Sequence, residues 1–182
     1  MSVILIRHGQ TKGNLERRYI GCRTDESLCE AGRAALGDKI IPPVKRVFAS
    51  PMRRCIETAA ILFHGAEPIA VPDFRECDFG AFEGFNYSEL NGRADYQAWI
   101  DSGGELPFPG GESRAAFAAR CARAFDELRP RLFEEDCALV VHGGTIMAIM
   151  EKNARPQAGY FDFQVSCGAG YILEEDGTYR AL

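Results

Sequence analysis

This 182-residue chain has no long hydrophobic run, no excess of basic charge and no paired-cysteine motif. No apolar stretch approaches the ~18 residues of a membrane span, so a bilayer crossing is not expected. Met1-Ser2 leads at once into Val3-Ile4-Leu5-Ile6-Arg7-His8, a strand-length run and not a secretory leader. The seven cysteines (Cys22, Cys29, Cys55, Cys77, Cys121, Cys137 and Cys167) form no C-x-x-C pair. None stands at metal-ligand spacing from a histidine. Reduced thiols in a cytoplasmic protein are therefore the expectation. A net charge of −5 speaks against a nucleic-acid binder, which usually carries a basic face. It leaves room for a local basic pocket that takes a small anion. Repeats, low-complexity tracts and linkers are missing too, so 1–182 reads as one domain.

What is present is an alternation of strands and helices. Val3–Ile6 reads as a buried strand, apolar and β-branched throughout. A helix is expected from Glu30 to Ile41, stopped by Pro42-Pro43, then a strand over Val44–Ala49. Ser50-Pro51 is expected to open a helix running to about Phe63, with proline in its first turn. Pro68–Val71 reads as a short strand. Phe117, Cys121, Phe125, Leu128 and Leu132 form one apolar face of a long helix capped by Ser113. Cys137–Val141 is a second buried strand, followed by a helix over about 145–153. Late strands are expected near Asp162–Ser166 and Gly170–Leu173, with Gly177 turning into a last extended piece. The pattern predicts a three-layer α/β/α sandwich around a mainly parallel sheet. Residues 77–112, rich in glycine and aromatics, read as an inserted cover of loops and short helices over the C-terminal edge of the strands.

Parallel sheets bind ligands beyond the carboxyl ends of their strands. His8 and His142, two of only three histidines, stand just there. The third, His64, follows a helix and reads as a partner for its dipole. Arg7 beside His8 suits an oxyanion better than a metal, because a guanidinium repels a cation and grips an anion. Gln10-Thr11-Lys12-Gly13-Asn14 adds donors near a helix start. Taken alone, Arg7-His8-Gly9 fits a structural histidine equally well. Arg53 and Arg54 point about 100° apart on a helix, so at most one faces a common site. Glu76, Asp78 and Glu83 lie among aromatics, where desolvation raises a carboxylate pKa and suits a general acid. Two histidines without a carboxylate pair at ligand spacing give little support to a metallohydrolase.

As an ordered set these elements are specific. Arg7-His8-Gly9-Gln10-Thr11 with Asn14, Gly21-Cys22-Arg23-Thr24-Asp25 and Ser50-Pro51-Met52-Arg53-Arg54 resemble the histidine phosphatase superfamily, the phosphoglycerate-mutase-like enzymes. Arg75-Glu76-Cys77-Asp78-Phe79-Gly80, Pro109-Gly110-Gly111-Glu112-Ser113 and His142-Gly143-Gly144 complete the resemblance. It implies that His8 is the nucleophile and that Arg7, Arg54 and His142 bind the phosphoryl oxygens. Asn14, Thr11, Gly21 and the Gly143 backbone would assist in binding phosphate. Glu76 would be the proton donor and later the base. It implies no metal and no cofactor, since phosphoryl transfer asks mainly for positioning and charge stabilisation. Ser27, Cys29 and Phe82 depart from the residues common there, proline, threonine and tryptophan, without removing a catalytic group.

The expected reaction is hydrolysis of a small phosphomonoester through phosphohistidine. A mutase-type phosphotransferase, a phosphoprotein phosphatase and a phosphoryl-binding module are the alternatives. Mutases of this family carry a longer, basic insertion in the cover. Here Cys77–Ser113 holds one basic residue, Arg93, against seven acidic ones, which disfavours a strongly anionic substrate. The aromatics Phe82, Phe85, Tyr87, Tyr96, Trp99 and Phe108 suit a substrate with a flat portion, or simply pack the cover. In length and in its 75–80 stretch the chain is similar to α-ribazole phosphatases, which makes α-ribazole 5'-phosphate a candidate substrate.

Overall fold

A computed structural model describes residues 1–182. In chain order the elements are β1 (Ser2–Arg7), α1 (Lys12–Leu15), α2 (Glu30–Gly37), β2 (Arg46–Ala49), α3 (Arg53–Leu62) and β3 (Ile69–Ala70). The cover contributes α4 (Tyr87–Leu90) and α5 (Ala94–Asp101). Then follow α6 (Arg114–Leu132), β4 (Cys137–Val141), α7 (Gly143–Asn153), β5 (Gly170–Glu174) and β6 (Tyr179–Ala181). The strands form one sheet in the order β3-β2-β4-β1-β5-β6. The first four pair in parallel, and β5 and β6 join antiparallel.

The two-residue period of a strand divides the core. Val3 and Leu5 of β1, with Leu139 and Val141 of β4, face α6 and α7 through Phe125, Leu132, Ile146 and Ile149. Ile4, Ile6, Ala138 and Val140 face the other way, onto Cys55 and Ala59 of α3 and Phe63 at its C-cap. Burying each Val, Leu or Ile stabilises by about 1.5–3 kcal/mol. A one-residue slip of β1 would turn that whole set to the wrong face, so its register is firmly fixed. Cover residues Phe82, Leu90 and Phe108 form a third cluster with Phe117 and Cys121 of α6.

Several local expectations are corrected. The helix from Glu30 ends at Gly37, capped by Asp38, four residues short of the expected Ile41, and 38–45 is irregular. Pro51 lies ahead of α3, whose N-cap is the extended Met52. There Asp25 Oδ1 reaches from another loop to accept from Arg53 N–H at 2.7 Å. Residues 162–166 form no strand. Tyr160–Phe163 is a 3-10 turn, and the Val165 carbonyl beyond it accepts from the Arg7 side chain instead of from a strand. α7 begins at Gly143, two residues earlier than expected. His64 is exposed, two residues past the end of α3, and hydrogen-bonds to none of its carbonyls. No helix is long and apolar enough to cross a membrane.

Cys29 is the N-cap of α2, its Sγ accepting from Gly32 N–H at 3.3 Å. A thiol is a weaker acceptor than a hydroxyl. Cys29→Thr is expected to stabilise the fold by about 0.5–1 kcal/mol, read as a higher midpoint in urea. An unchanged midpoint would show that the thiol caps as well as a hydroxyl.

Candidate active site

The site grows from two strand ends. In-register pairing of Arg7 with Val141 sets the next residues, His8 and His142, side by side, with ring centroids 5.2 Å apart. Both rings are buried. His8 Nδ1 is 2.7 Å from the Gly9 carbonyl and so carries the proton, leaving Nε2 with a free lone pair. Gly9 is itself anchored, its N–H donating to Thr58 Oγ1 on α3 at 2.9 Å. Burial first, then the Arg54 charge, pushes the His8 pKa down to about 3. Arg7 adds in the same direction, while the bond to Gly9 opposes. The imidazole is neutral at pH 7, as a nucleophile must be.

His142 is also held neutral, its pKa lowered by burial and then by the Arg54 charge. Its Nε2 lies 2.8 Å from Ser50 Oγ. The Ser50 oxygen also accepts from Met52 N–H at 3.4 Å. The other ring nitrogen of His142, Nδ1, lies 3.6 Å from Glu76 Oε2. His142 is also the N-cap of α7. The backbone N–H groups of Gly143, Gly144 and Thr145 in its first turn make no hydrogen bond, which leaves donors for an anion.

Two arginines flank the histidines. Of the adjacent pair on α3, Arg54 is the buried one, 1% exposed, and Arg53 points to solvent. Arg54 is fixed by the carbonyls of Thr24, at 3.0 Å, and Gly21, at 3.3 Å. Arg7 donates to the Val165 carbonyl at 2.7 Å. The Nε–H of each is buried without a partner. Orphaned donors on both sides of a neutral histidine are what an oxyanion would satisfy.

Glu76 completes the group. Its side chain is 13% exposed, with Oε1 accepting from Cys77 N–H at 2.9 Å. Burial raises its pKa, against the pull of Arg54 and of the Cys77 hydrogen bond. A raised carboxyl is poised to give a proton. Beside it opens a hollow of about 470 Å³, lined by Phe79, Trp99, Phe108, Phe117, Tyr160 and Phe161 among others.

The remaining expected residues support the loops. Thr11 caps α1, accepting from Asn14 N–H, and Asn14 Oδ1 accepts in return from Thr11 N–H and Oγ1. The Asn14 amide N–H groups, the donor end, are thereby turned away from Thr11. Gly21 N–H is committed to Glu83 Oε1 at 2.9 Å. A Cβ at Gly21 would lie 2.2 Å from the Cys77 carbonyl, so only glycine lets these loops meet. Glu83 also accepts from Arg23 N–H at 3.1 Å, which makes it the holder of the 21–23 turn.

Sequence reasoning missed Arg120. Buried on α6, it pairs with Glu112 at 2.7 Å and donates to the carbonyls of Asp73 and Arg75 at 2.7 and 3.0 Å. It thereby clamps the backbone that carries Glu76. The available signal was an arginine on the apolar face of an amphipathic helix, three residues after Phe117.

Arg120→Met should cost about 1–3 kcal/mol, because it leaves the half-buried Glu112 carboxylate and the Asp73 and Arg75 carbonyls without their donor. Equilibrium denaturation measures this, and a loss under 1 kcal/mol would remove the clamp from the account. The two histidines contribute to the acid limb of stability. Their folded pKa values lie below the ~6.5 of the unfolded chain, so their contribution is full above pH 6.5 and falls as pH drops toward 3. Glu76, shifted upward, opposes this with one proton. His8→Asn should flatten that limb by about 1.4 kcal/mol per pH unit. An unchanged slope would contradict a neutral His8.

Known proteins show the same arrangement of chain. The sequence profile of the histidine phosphatase superfamily (branch 1) matches residues 3–182. The chain is 34% identical over 197 residues to 2,3-bisphosphoglycerate-dependent phosphoglycerate mutase 2 of Gloeobacter violaceus, spanning 99% of this chain and 89% of that one. It is 28% identical over 158 residues to a metal-independent phosphoserine phosphatase of Arabidopsis thaliana, spanning 81% and 66% of the two. In fold it is similar to the α-ribazole phosphatase of Shigella flexneri, with a TM-score of 0.86 at 22% identity, covering 100% of this chain and 96% of that one. With a match along nearly its whole length, the chain is an enzyme of the histidine phosphatase superfamily, branch 1.

Proposed function

We propose that the protein hydrolyses a small-molecule phosphomonoester through a phosphohistidine on His8. One observation carries this reading. A neutral buried imidazole, with its proton pinned on Nδ1, stands between two arginines whose Nε–H groups lack partners. His8 Nε2 attacks phosphorus and the ester P–O bond breaks. The departing oxygen takes the proton of Glu76. Arg7, Arg54 and the His142 ring stabilise charge on the three equatorial oxygens, with Asn14 and the Gly143 N–H assisting. Glu76, now a carboxylate, takes a proton from water as that water attacks the phosphohistidine. The P–N bond breaks, inorganic phosphate leaves, and both residues return to their starting forms.

The apolar hollow beside Glu76 lies where the leaving group would sit, and nine of its fourteen lining residues are hydrophobic. Trp99 lines it, and its indole N–H is buried without an acceptor. A leaving group with a flat face and one hydrogen-bond acceptor fits this lining, as α-ribazole 5'-phosphate does through its base. A mutase reading draws support from the Gloeobacter relative. It asks for cationic groups around the leaving-group hollow, and Arg114 is the only one there, paired with Glu105 and stacked on Phe161.

Hydrolysis of p-nitrophenyl phosphate with EDTA present is expected for wild type and should vanish in His8→Ala. Glu76→Gln should lose about 10²–10⁴-fold on alkyl phosphates and much less on aryl phosphates, whose leaving groups need little protonation. Equal losses on both would remove Glu76 as the acid. A panel of natural monoesters containing α-ribazole 5'-phosphate and 3-phosphoglycerate then ranks substrates. Phosphate passed to a second acceptor and not to water would favour the mutase.

A further inference from the structure

A second hollow, of about 550 Å³, shares no residue with the apolar one. Arg7 and Asn14 of the transfer site form one wall, and Arg17, Arg18, Lys39 and Ser166 are on the others. Four of its eleven lining residues are cationic and none is acidic. Arg18 is neutralised by Glu16 and Glu89, each at 2.6 Å. The nearby Glu26 is also engaged, accepting from Gly13 N–H. Arg17 and Lys39 enter none of the ion pairs of the chain, such as the neighbouring Lys12–Glu16 and Arg33–Glu57 pairs.

Both free cations belong to exposed residues on the wall of the hollow. Arg17, with φ of 54°, is the one non-glycine residue in the left-handed region. It ends α1 in a left-handed cap, with its own N–H bonded to the Asn14 carbonyl and the Arg18 N–H to the Gly13 carbonyl, so a glycine would be accommodated there as well. Lys39 lays its stem over Gly168, where a Cβ would come within 2.9 Å of its Cε. The Gly168 N–H is in turn bound to the carbonyls of Arg7 and His8. The lysine thus lies across the turn that closes the end of β1.

We propose that this basic hollow is a second oxyanion subsite, receiving inorganic phosphate on Arg17 and Lys39 as it leaves the transfer site past Arg7 and Asn14. The source of that phosphate rests on the phosphatase reading above, whereas its binding does not. Cationic donors with no competing carboxylate suit a tetrahedral oxyanion. A shared wall lets it move without leaving positive potential. The same chemistry would hold a second phosphate tethered to a substrate, and the test separates the two.

The test compares wild type with Arg17→Gly/Lys39→Gln, which leaves every transfer-site residue intact. Calorimetric titration with inorganic phosphate should find two phosphates per chain in wild type and one in the double variant. Phosphate should inhibit p-nitrophenyl phosphate hydrolysis about 10-fold more weakly in the variant, the worth of one lost charge-assisted contact, with uninhibited turnover unchanged. The melting temperature should not fall, since a glycine is accommodated at position 17. Equal stoichiometry and equal inhibition in the two proteins would overturn the subsite. One phosphate in each, together with a fall confined to the kcat/KM of a bisphosphate substrate, would overturn the free-phosphate assignment in favour of a tethered group. If wild type turned over no ester, the phosphatase reading would fail while the stoichiometry still decided the binding.

Discussion

The in-register parallel pairing of β1 with β4 is the constraint on which the rest depends. It sets His8 beside His142 at the sheet's edge, and burial on both faces of the sheet makes it rigid. Two imidazoles so close, with two guanidiniums around them, could not all be charged. Burial and the arginines resolve the conflict by keeping both histidines neutral. A neutral imidazole and unpaired cationic donors therefore arise from one arrangement. The positive field that, after burial, helps keep His8 neutral is the field that would hold phosphate.

Around this centre the surroundings are divided by chemistry. Glu76, the proposed acid, stands by an apolar hollow, while Arg7 and Asn14 border a cationic one. A phosphomonoester has the same polarity, an anionic end and an organic end. The histidine site with its basic border and the apolar hollow thus differ in the same sense as the two ends of such an ester.

Much of this was legible in the sequence because local and global signals agreed. β1 and β4 are short apolar runs ending abruptly in Arg7-His8-Gly9 and His142-Gly143-Gly144, and strand ends are where α/β sheets hold ligands. The helical offset between Arg53 and Arg54 limited the site to one of them, and burial selected Arg54. The misses occur where a tertiary contact overrides a local preference. Residues 162–166 have strand composition, but Arg7 takes the Val165 carbonyl that a neighbouring strand would need. The helix from Glu30 ends at Gly37, well short of the prolines that were expected to stop it. Arg120 lies 44 residues from Glu76, so its hold on the acid's backbone has no local trace. Arg17 and Lys39 read as ordinary surface cations until the fold brings both to one hollow.

The Glu112–Arg120 pair also decides what can change here. Glu112 accepts from Asp78 N–H, and its own N–H donates to the Asp78 carbonyl, so the two ends of the cover are tied together at its base. Arg120 joins that knot to the backbone around Glu76. Everything between becomes a closed excursion, and lengthening such a loop adds little entropic cost. Insertions, deletions or new side chains can therefore accumulate in 91–106, where no residue is buried, while Glu76 keeps its place beside the histidines. Selectivity and chemistry become separately variable, which lets one scaffold take on new esters without relearning how to cleave them.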